Sequence, residues 1–466
     1  MLDQTVSRTK AAALLARLER LPATRSIWTL VTLLSLGGMF EFYDLFLTGY
    51  IIPGLVKAGL LANVSVAIFS GPALFVAATF TGLFIGTFVF GFVADRFGRR
   101  AVFTVSLLCY CAATLVMAVQ TSGVGVCLWR LIAGIGIGVE LVTIDTYIAE
   151  LVPKHVRGRA FAFNQVIQFA AVPVVALLAY MLVPQQPFGI DGWRWVVGIG
   201  SFGALFVWFL RLGVPESPRW LIQHGRLAEA EAVTARLEQR VQADLGGAAL
   251  PPPLAHAIDR SEGTGSFAEI WQPPYRSRTI MLMIFQFFQT FGFYGFSAWV
   301  PTLIAQQLGI NLSGSLLYSF VIAIAAPFGP MLAIAFADRF ERKWQLVGAA
   351  IGVGVFGMLF SFQTTIPMLI VFGVLITLSN NIMSNTFHGY QTELFPTRIR
   401  ARAVGFTYSF SRISTVFASF IIGFSLHTAG TKGVFGLIAF AMTMVVLSIG
   451  ILGPKVNDRE LEQISH

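Results

Sequence analysis

Glu41 and Asp44 stand three residues apart in MFEFYDLFLTGYIIP (39–53), inside an apolar run reaching from Ile27 to Val56. On a helix that spacing puts both carboxylates on one face. The surrounding run is too long and too apolar for anything but a membrane crossing. A carboxylate facing hydrocarbon costs about 3 kcal/mol or more, so a chain keeps one there for water, for a partner or for a proton path. Burial favours a neutral carboxyl and a nearby guanidinium favours a charged one. A movement that changes their separation therefore takes up or releases a proton. Arg130 and Arg412, also inside apolar runs, need the same justification. Arg130 is the expected companion of Asp44, and Glu41 joins them in the proton-coupling set. Arg412 can hold a carboxylate through two parallel hydrogen bonds. Gln168, Gln286, Gln289, Asn380 and Asn381 add amide donors and acceptors suited to a hydroxylated or carboxylated solute. Each of them could equally tie two helices together.

The elements that must position these groups can be read from composition. Of the 466 residues, 56% are hydrophobic and 12% charged, about half the charged share of a soluble protein. Runs long enough to span fall at 27–56, 66–94, 101–120, 124–151, 160–183, 193–213, 278–307, 314–337, 343–362, 366–395, 401–427 and 432–453. These predict an all-α membrane protein with twelve transmembrane helices, arranged as two pseudo-symmetric six-helix bundles around a central cavity. A cytoplasmic tail (1–26) precedes the first bundle (27–213). A central loop (214–277) contains Pro251-Pro252-Pro253 and the helical run GRLAEAEAVTARLEQR, and a second bundle (278–453) and a tail (454–466) follow. The first run is too long, and too acidic at its centre, for a cleaved leader, and reads as an uncleaved signal anchor.

Charge placement orients the chain. Of 32 Lys and Arg, only Lys57, Arg130, Arg194, Arg412 and Lys432 lie outside the tails, the central loop and the loops on their side. The positive-inside rule puts both termini in the cytoplasm, so the net charge of +9 is topology and not a nucleic-acid patch. Depth then decides which buried charges can meet. At 1.5 Å per residue, Asp44 lies roughly 13–18 Å from the outer end of its span and Arg130 roughly 8 Å from its own. An arginine side chain covers that difference; a permanent structural salt bridge is the alternative reading. Glu41 and Glu140 also fall at similar depths.

The halves repeat. A shift of 243 residues lays ADRFGRR (94–100) on ADRFERK (337–343) and YIAELVPKHVRGRA (147–160) on YQTELFPTRIRARA (390–403). One offset serving both blocks implies two halves related by an axis along the membrane normal, with a site between them near mid-depth. Arg130 falls on Gly373, and Asp44 has no acidic counterpart, so the charged pair belongs to the first half alone.

These motifs resemble the major facilitator superfamily over nearly the whole chain. GFVADRFGRR (91–100) resembles its loop signature between spans two and three. WRLIAGIGIGVE with YIAELVPKHVRGRA, and VPESPRWLIQHGR (214–226), are similar to the sugar-porter signatures. MFEFYDLFLTGYIIP looks more like the metabolite:proton symporters, and TYSFSRISTVFASF (407–420) resembles facilitators of organic anions. The resemblance implies alternating access with proton coupling through Asp44 and Arg130. Departures from the sugar-porter pattern are Tyr294 at the spacing of an Asn after Gln289, NNIMSNTFHGYQTELFP in span ten, and Asp145 in place of a Pro.

Asp95, Arg99, Glu150 and Arg157, with Asp338, Glu393 and Arg400 in the second half and Glu216 and Arg219 beside them, form an expected cytoplasmic gate. It would latch that side shut when the outside is open. Surface pairs contribute about 0–1 kcal/mol each, so only a network could bias two states. Helix-end charges serving topology alone are the plainer reading. Gly134, Gly136 and Gly138 sit within a span with no preceding strand, which points to close helix packing and not a nucleotide loop. Cys109, Cys111 and Cys127 offer neither a metal set nor a disulfide framework and read as small buried hydrophobes. His388 reads as a packed histidine. No metal, nucleophile or phosphate-loop motif supports an enzyme. The expectation is a monomeric, proton-coupled symporter in a bacterial inner membrane. It needs no cofactor, and its partners are protons, a small solute and the lipid bilayer. The solute expected is a carboxylate anchored by Arg412, with Gln168, Gln286, Gln289, Tyr294, Asn380 and Asn381 around it. A sugar or polyol symporter and a transporter-like nutrient sensor are the alternatives.

Overall fold

A computed structural model describes residues 2–62, 64–66, 69–253, 266–336, 340–395 and 397–455. The first bundle is built from α2 (Arg25–Lys57), α3 (Gly71–Phe97), α4 (Arg99–Ala118), α5 (Gly123–Leu151), α6 (Lys154–Leu182) and α7 (Gly192–Arg211). The second comprises α10 (Tyr275–Ser297) with α11 (Val300–Leu308), α12 (Leu312–Ala323) with α13 (Phe328–Phe336), α14 (Arg342–Ser361), α15 (Ile366–Glu393) and α16 (Thr397–Leu447). Ten stretches are long and apolar enough to span. One of them, α16, runs for 51 residues and reverses at Gly430 (φ 62, ψ −159), so it supplies two spans. The 20-residue α7 makes the twelfth. Spans seven and eight are each split. Pro301 opens α11 after a break at Ala298 and Trp299, and Pro327 ends the turn between α12 and α13. Proline lacks the N–H that would continue the ladder. A two-residue hairpin, Ser65–Val66 against Phe69–Ser70, precedes α3.

Burial follows from the same apolar excess. Phe202, Phe206 and Phe209 on α7 are each more than 60% exposed. Their spacing makes one helical stripe, the face expected to meet lipid. Cys111 is buried, whereas Cys109 is exposed and Cys127 half-buried, so the reading of three buried thiols holds for one of them. Gly134 and Gly138 let α5 approach α3 backbone to backbone: a Cβ added to them would lie 2.4 Å from Thr79 O and 2.3 Å from Leu83 O.

The repeat survives in contact geometry. Arg99 pairs with Glu150 at 3.1 Å, and Arg342 pairs with Glu393, each at a separation of 51 residues and related by the same 243-residue shift. Tyr147 donates to Pro215 O just past α7, and Tyr390 donates at 2.9 Å to Pro454 O just past the last span. In each half, therefore, a tyrosine ties its fourth span to the chain leaving its sixth.

The tail is more ordered than its polar composition implied. α1 (Leu2–Glu19) places Leu14 and Leu18 on one stripe with Leu21 beyond its end, and the stripe packs on α8 (Pro218–Gln223) and α9 (Leu227–Asp244). Glu238 accepts from Arg17 at 2.5 Å and from Arg20 at 2.6 Å. Burial pushes the Glu238 carboxyl up, but its bonds to these two guanidiniums outweigh that and hold it below the usual carboxylate value. The clamp is thus fully present above the unfolded value, near pH 4, and is lost as pH falls through the lowered folded value. Glu238→Gln should undock α1. Trypsin should then cleave after Arg17 and Arg20 at least fivefold faster in the purified protein, and equal cleavage rates would show that the clamp does not hold the tail.

Candidate transport site

Arg130 is 0% and Asp44 4% exposed. The guanidinium donates from Nη1 to Asp44 Oδ2 at 3.0 Å and from Nη2 to the Asp44 carbonyl at 2.5 Å. It also reaches Thr48 Oγ1 at 2.6 Å and, through Nε, Thr79 Oγ1 at 3.1 Å. Three helices, α2, α3 and α5, thus meet around one cation. The depth argument had singled out this pair, and the structure brings it into contact. Glu41, one turn earlier on α2, is fully buried. It interacts electrostatically with Arg412 across the boundary between the bundles.

Below this pair a cavity of about 880 Å³ lies between the bundles. Arg412, Gln168, Gln289 and Tyr294 line it, together with Asp145, Gln165, His388 and Tyr408. Counted along α16, α6 and α10 at 1.5 Å per residue, Arg412, Gln168 and Gln289 all sit about 21–23 Å from the helix starts. The cavity then descends past Asp145, Gln391 and Arg402 to Phe267, on the face that carries the tails and central loop. Arg412 is 4% exposed; Nη2 donates to Tyr408 Oη at 3.0 Å, and its Cζ lies 4.9 Å from the Tyr408 ring. Its buried Nε has no acceptor in hydrogen-bond geometry.

Three expected amides lie elsewhere. Asn380 donates at 3.2 Å to Gly292 O, and Asn381 at 2.8 Å to Ala326 O. Both border a separate void of about 30 Å³. Gln286 is fully buried off the cavity wall, accepting weakly from Gln289 at 3.5 Å. These correct the sequence reading: depth gives a residue's height on a helix but not its azimuth, and these three point into helix contacts. His388 is packed as expected, its ring centroid 6.0 Å from that of Phe387 and 6.3 Å from that of Tyr408, and it also lines the cavity. Gln165 was missed although it stands one turn before Gln168 on the same face, a signal the spacing contained.

The opposite face is shut. A Cβ added to Gly49 on α2 would lie 2.4 Å from Ala298 O at the break in span seven. Phe69 and Phe420 pack against each other, also between the halves, with centroids 4.5 Å apart and planes tilted by 51°. On the open face the expected gate residues do pair, but differently from the expectation. Arg99 holds Glu150, and Glu216 accepts from the backbone N–H groups of Arg99 (3.0 Å) and Arg100 (3.2 Å), capping the start of α4. Arg219 donates to Glu150 O, and both Arg219 and Arg157 bind Glu19 of α1, a partner the sequence reading did not include. Among the described residues each of these pairs stays within one half and its neighbouring loop helices. The side chains of Asp95 and Arg400 and the whole of Asp338 lie outside the described residues.

Twelve spans in two repeated halves, with a mid-depth polar cavity open to one face and sealed at the other, define the architecture of a secondary transporter. A family model described as sugar (and other) transporter matches residues 30–466, and the chain belongs to this family of the major facilitator superfamily. It is a multi-pass membrane transporter of a sugar or other small metabolite, not an enzyme. The chain is 30% identical over 460 residues to the metabolite transport protein YyaJ of Bacillus subtilis (strain 168), covering 96% of each chain. It is 28% identical to the niacin transporter NiaP of Acinetobacter baylyi, covering 97% of this chain and 99% of that one. In fold it is similar to the xylose transporter XylE of E. coli in a partially occluded inward open conformation. That match has a TM-score of 0.75 at 20% identity, over 93% of this chain and 99% of the other.

Because the Gly49 contact is backbone on backbone, Gly49→Trp should prop the sealed face open and empty the opposite cavity. A cysteine placed at Ser409 on the cavity wall should then react with a membrane-impermeant maleimide at least tenfold more slowly in inside-out vesicles. Unchanged labelling would mean that this contact does not control the seal.

Proposed function

We propose that the protein is a proton-coupled symporter of a carboxylate-bearing metabolite, working by alternating access, with its termini in the cytoplasm of a bacterial cell. The observation that carries the substrate class is Arg412, a buried guanidinium on the cavity wall with one donor unused. A guanidinium held rigid by Tyr408 presents a planar fork, and a carboxylate matches it. A relative of near-equal length is named a niacin transporter, and niacin is a carboxylate. The second reading, a sugar or polyol, is supported by the family's description and by the likeness to a xylose transporter.

Coupling is assigned to α2. Asp44 is held against Arg130, and Glu41 lies within electrostatic reach of Arg412. An anionic solute arriving at Arg412 competes with Glu41 for the same cation, so its binding favours a protonated Glu41. Rocking of the bundles moves Asp44 relative to Arg130 and changes the proton affinity of that pair as well. Each transport cycle would thus carry charge-compensating protons with the anion.

Arg412→Ala should weaken carboxylate binding by about 10–100-fold, the loss expected for a charge-assisted pair of roughly 1.5–3 kcal/mol. Calorimetry on purified protein reads this directly; undiminished carboxylate affinity would remove Arg412 as the anchor. Asp44→Asn should abolish uphill uptake in proteoliposomes under a proton gradient while counterflow exchange continues. Uphill uptake at the wild-type rate would take Asp44 out of the coupling mechanism.

A further inference from the structure

The lining of the cavity narrows the solute further. Nine of the residues that border it are phenylalanine, about a third of the wall, whereas the chain as a whole holds 43 Phe in 466 residues. Lipid-facing surface explains an abundance of Phe, but not its concentration around a polar void. The rings nearest the level of Arg412 form a connected series from both bundles. Phe42 and Phe169 meet edge to face at 5.2 Å, Phe169 and Phe293 at 6.2 Å, and Phe293 and Tyr294 at 4.9 Å. On the other side of the guanidinium stand Tyr408 and His388. At this level the amides on the wall are Gln168 and Gln289, joined by Gln165 one turn below.

A sugar of this size carries hydroxyls around its whole rim and needs a polar partner for most of them. This wall instead presents a run of packed aromatic rings beside one cation, with few amides at that level. We propose that the site is built for an aromatic or heteroaromatic monocarboxylate, its ring packed against the surface formed by Phe42, Phe169 and Phe293 and its carboxylate on Arg412. The inference rests on the carboxylate reading above and adds the ring. An aromatic guest completes edge-to-face contacts that a saturated ring of equal size and charge cannot make. The amides at this level leave room for a ring heteroatom or hydroxyl to find a partner.

The test uses purified full-length protein and calorimetric binding of benzoate, cyclohexanecarboxylate, pyruvate, benzamide and xylose. Benzoate should bind at least tenfold more tightly than cyclohexanecarboxylate, a difference of roughly 1.4 kcal/mol, and more tightly than pyruvate or benzamide. Phe293→Leu and, separately, Phe42→Leu should each reduce that preference at least threefold. Equal binding of benzoate and cyclohexanecarboxylate, or a preference for pyruvate, would overturn the aromatic surface and leave the carboxylate reading standing. Binding of xylose with no response to any carboxylate would overturn both.

Discussion

A guanidinium sealed from water among apolar helices persists only when its donors are used, and Arg130 meets that condition with four hydrogen bonds. The Asp44 carboxylate is one acceptor of the four; the others are the Asp44 carbonyl, Thr48 and Thr79, all uncharged. Removing one partner of a buried ion pair typically costs about 3–5 kcal/mol, because the other charge is left uncompensated. Here most of the solvation of the cation does not depend on the charge of Asp44. A proton can therefore arrive at the carboxylate without stranding the arginine. The same arrangement fixes α2, α3 and α5 against one another, and it works only because small residues let α3 and α5 close to backbone contact.

α2 gathers the functions that have to be linked. Glu41, Asp44 and Gly49 lie within nine residues, about 12 Å of helix. The first addresses the cation on the cavity wall, the second the buried arginine, and the third the backbone of span seven at the sealed face. A tilt of one stiff helix alters all three contacts together. Linkage between proton, solute and cavity exposure then needs no longer chain of intermediaries. The unequal charge of the two halves fits this division. The second half has no counterpart of the Asp44–Arg130 pair, and it supplies instead the guanidinium and most of the rings that line the cavity.

Much of this was legible in the order of residues, and the exceptions share a cause. Span count, the repeat and the meeting of Asp44 with Arg130 follow from run length and rise per residue, which set height in the bundle. Height could not say that Asn380 and Asn381 turn toward Gly292 and Ala326 and not into the cavity, since that depends on how each helix is rotated by its neighbours. The same gap hid the place of His388 on the cavity wall, which its position along the helix could not show. The split of spans seven and eight was readable at Pro301 and Pro327. So was the apolar spacing of Leu14, Leu18 and Leu21, which the strongly basic tail masked.

The placement of ion pairs on the open face bears on what sets the balance between states. Arg99 with Glu150, Arg342 with Glu393, and Glu19 with Arg157 and Arg219 bind each half to its own loop helices. Among the described residues none of these pairs joins one half to the other, so they make each half a stiffer body without favouring either position of the pair. Partly exposed pairs of this kind contribute about 0–1 kcal/mol each, and their loss would loosen a half before it moved the equilibrium. At the sealed face, by contrast, Gly49 meets Ala298 and Phe69 lies tilted against Phe420, contacts that do join the two halves. Close apolar contact has no charge to be screened. The resting state should then respond to side-chain volume at that seam far more than to ionic strength.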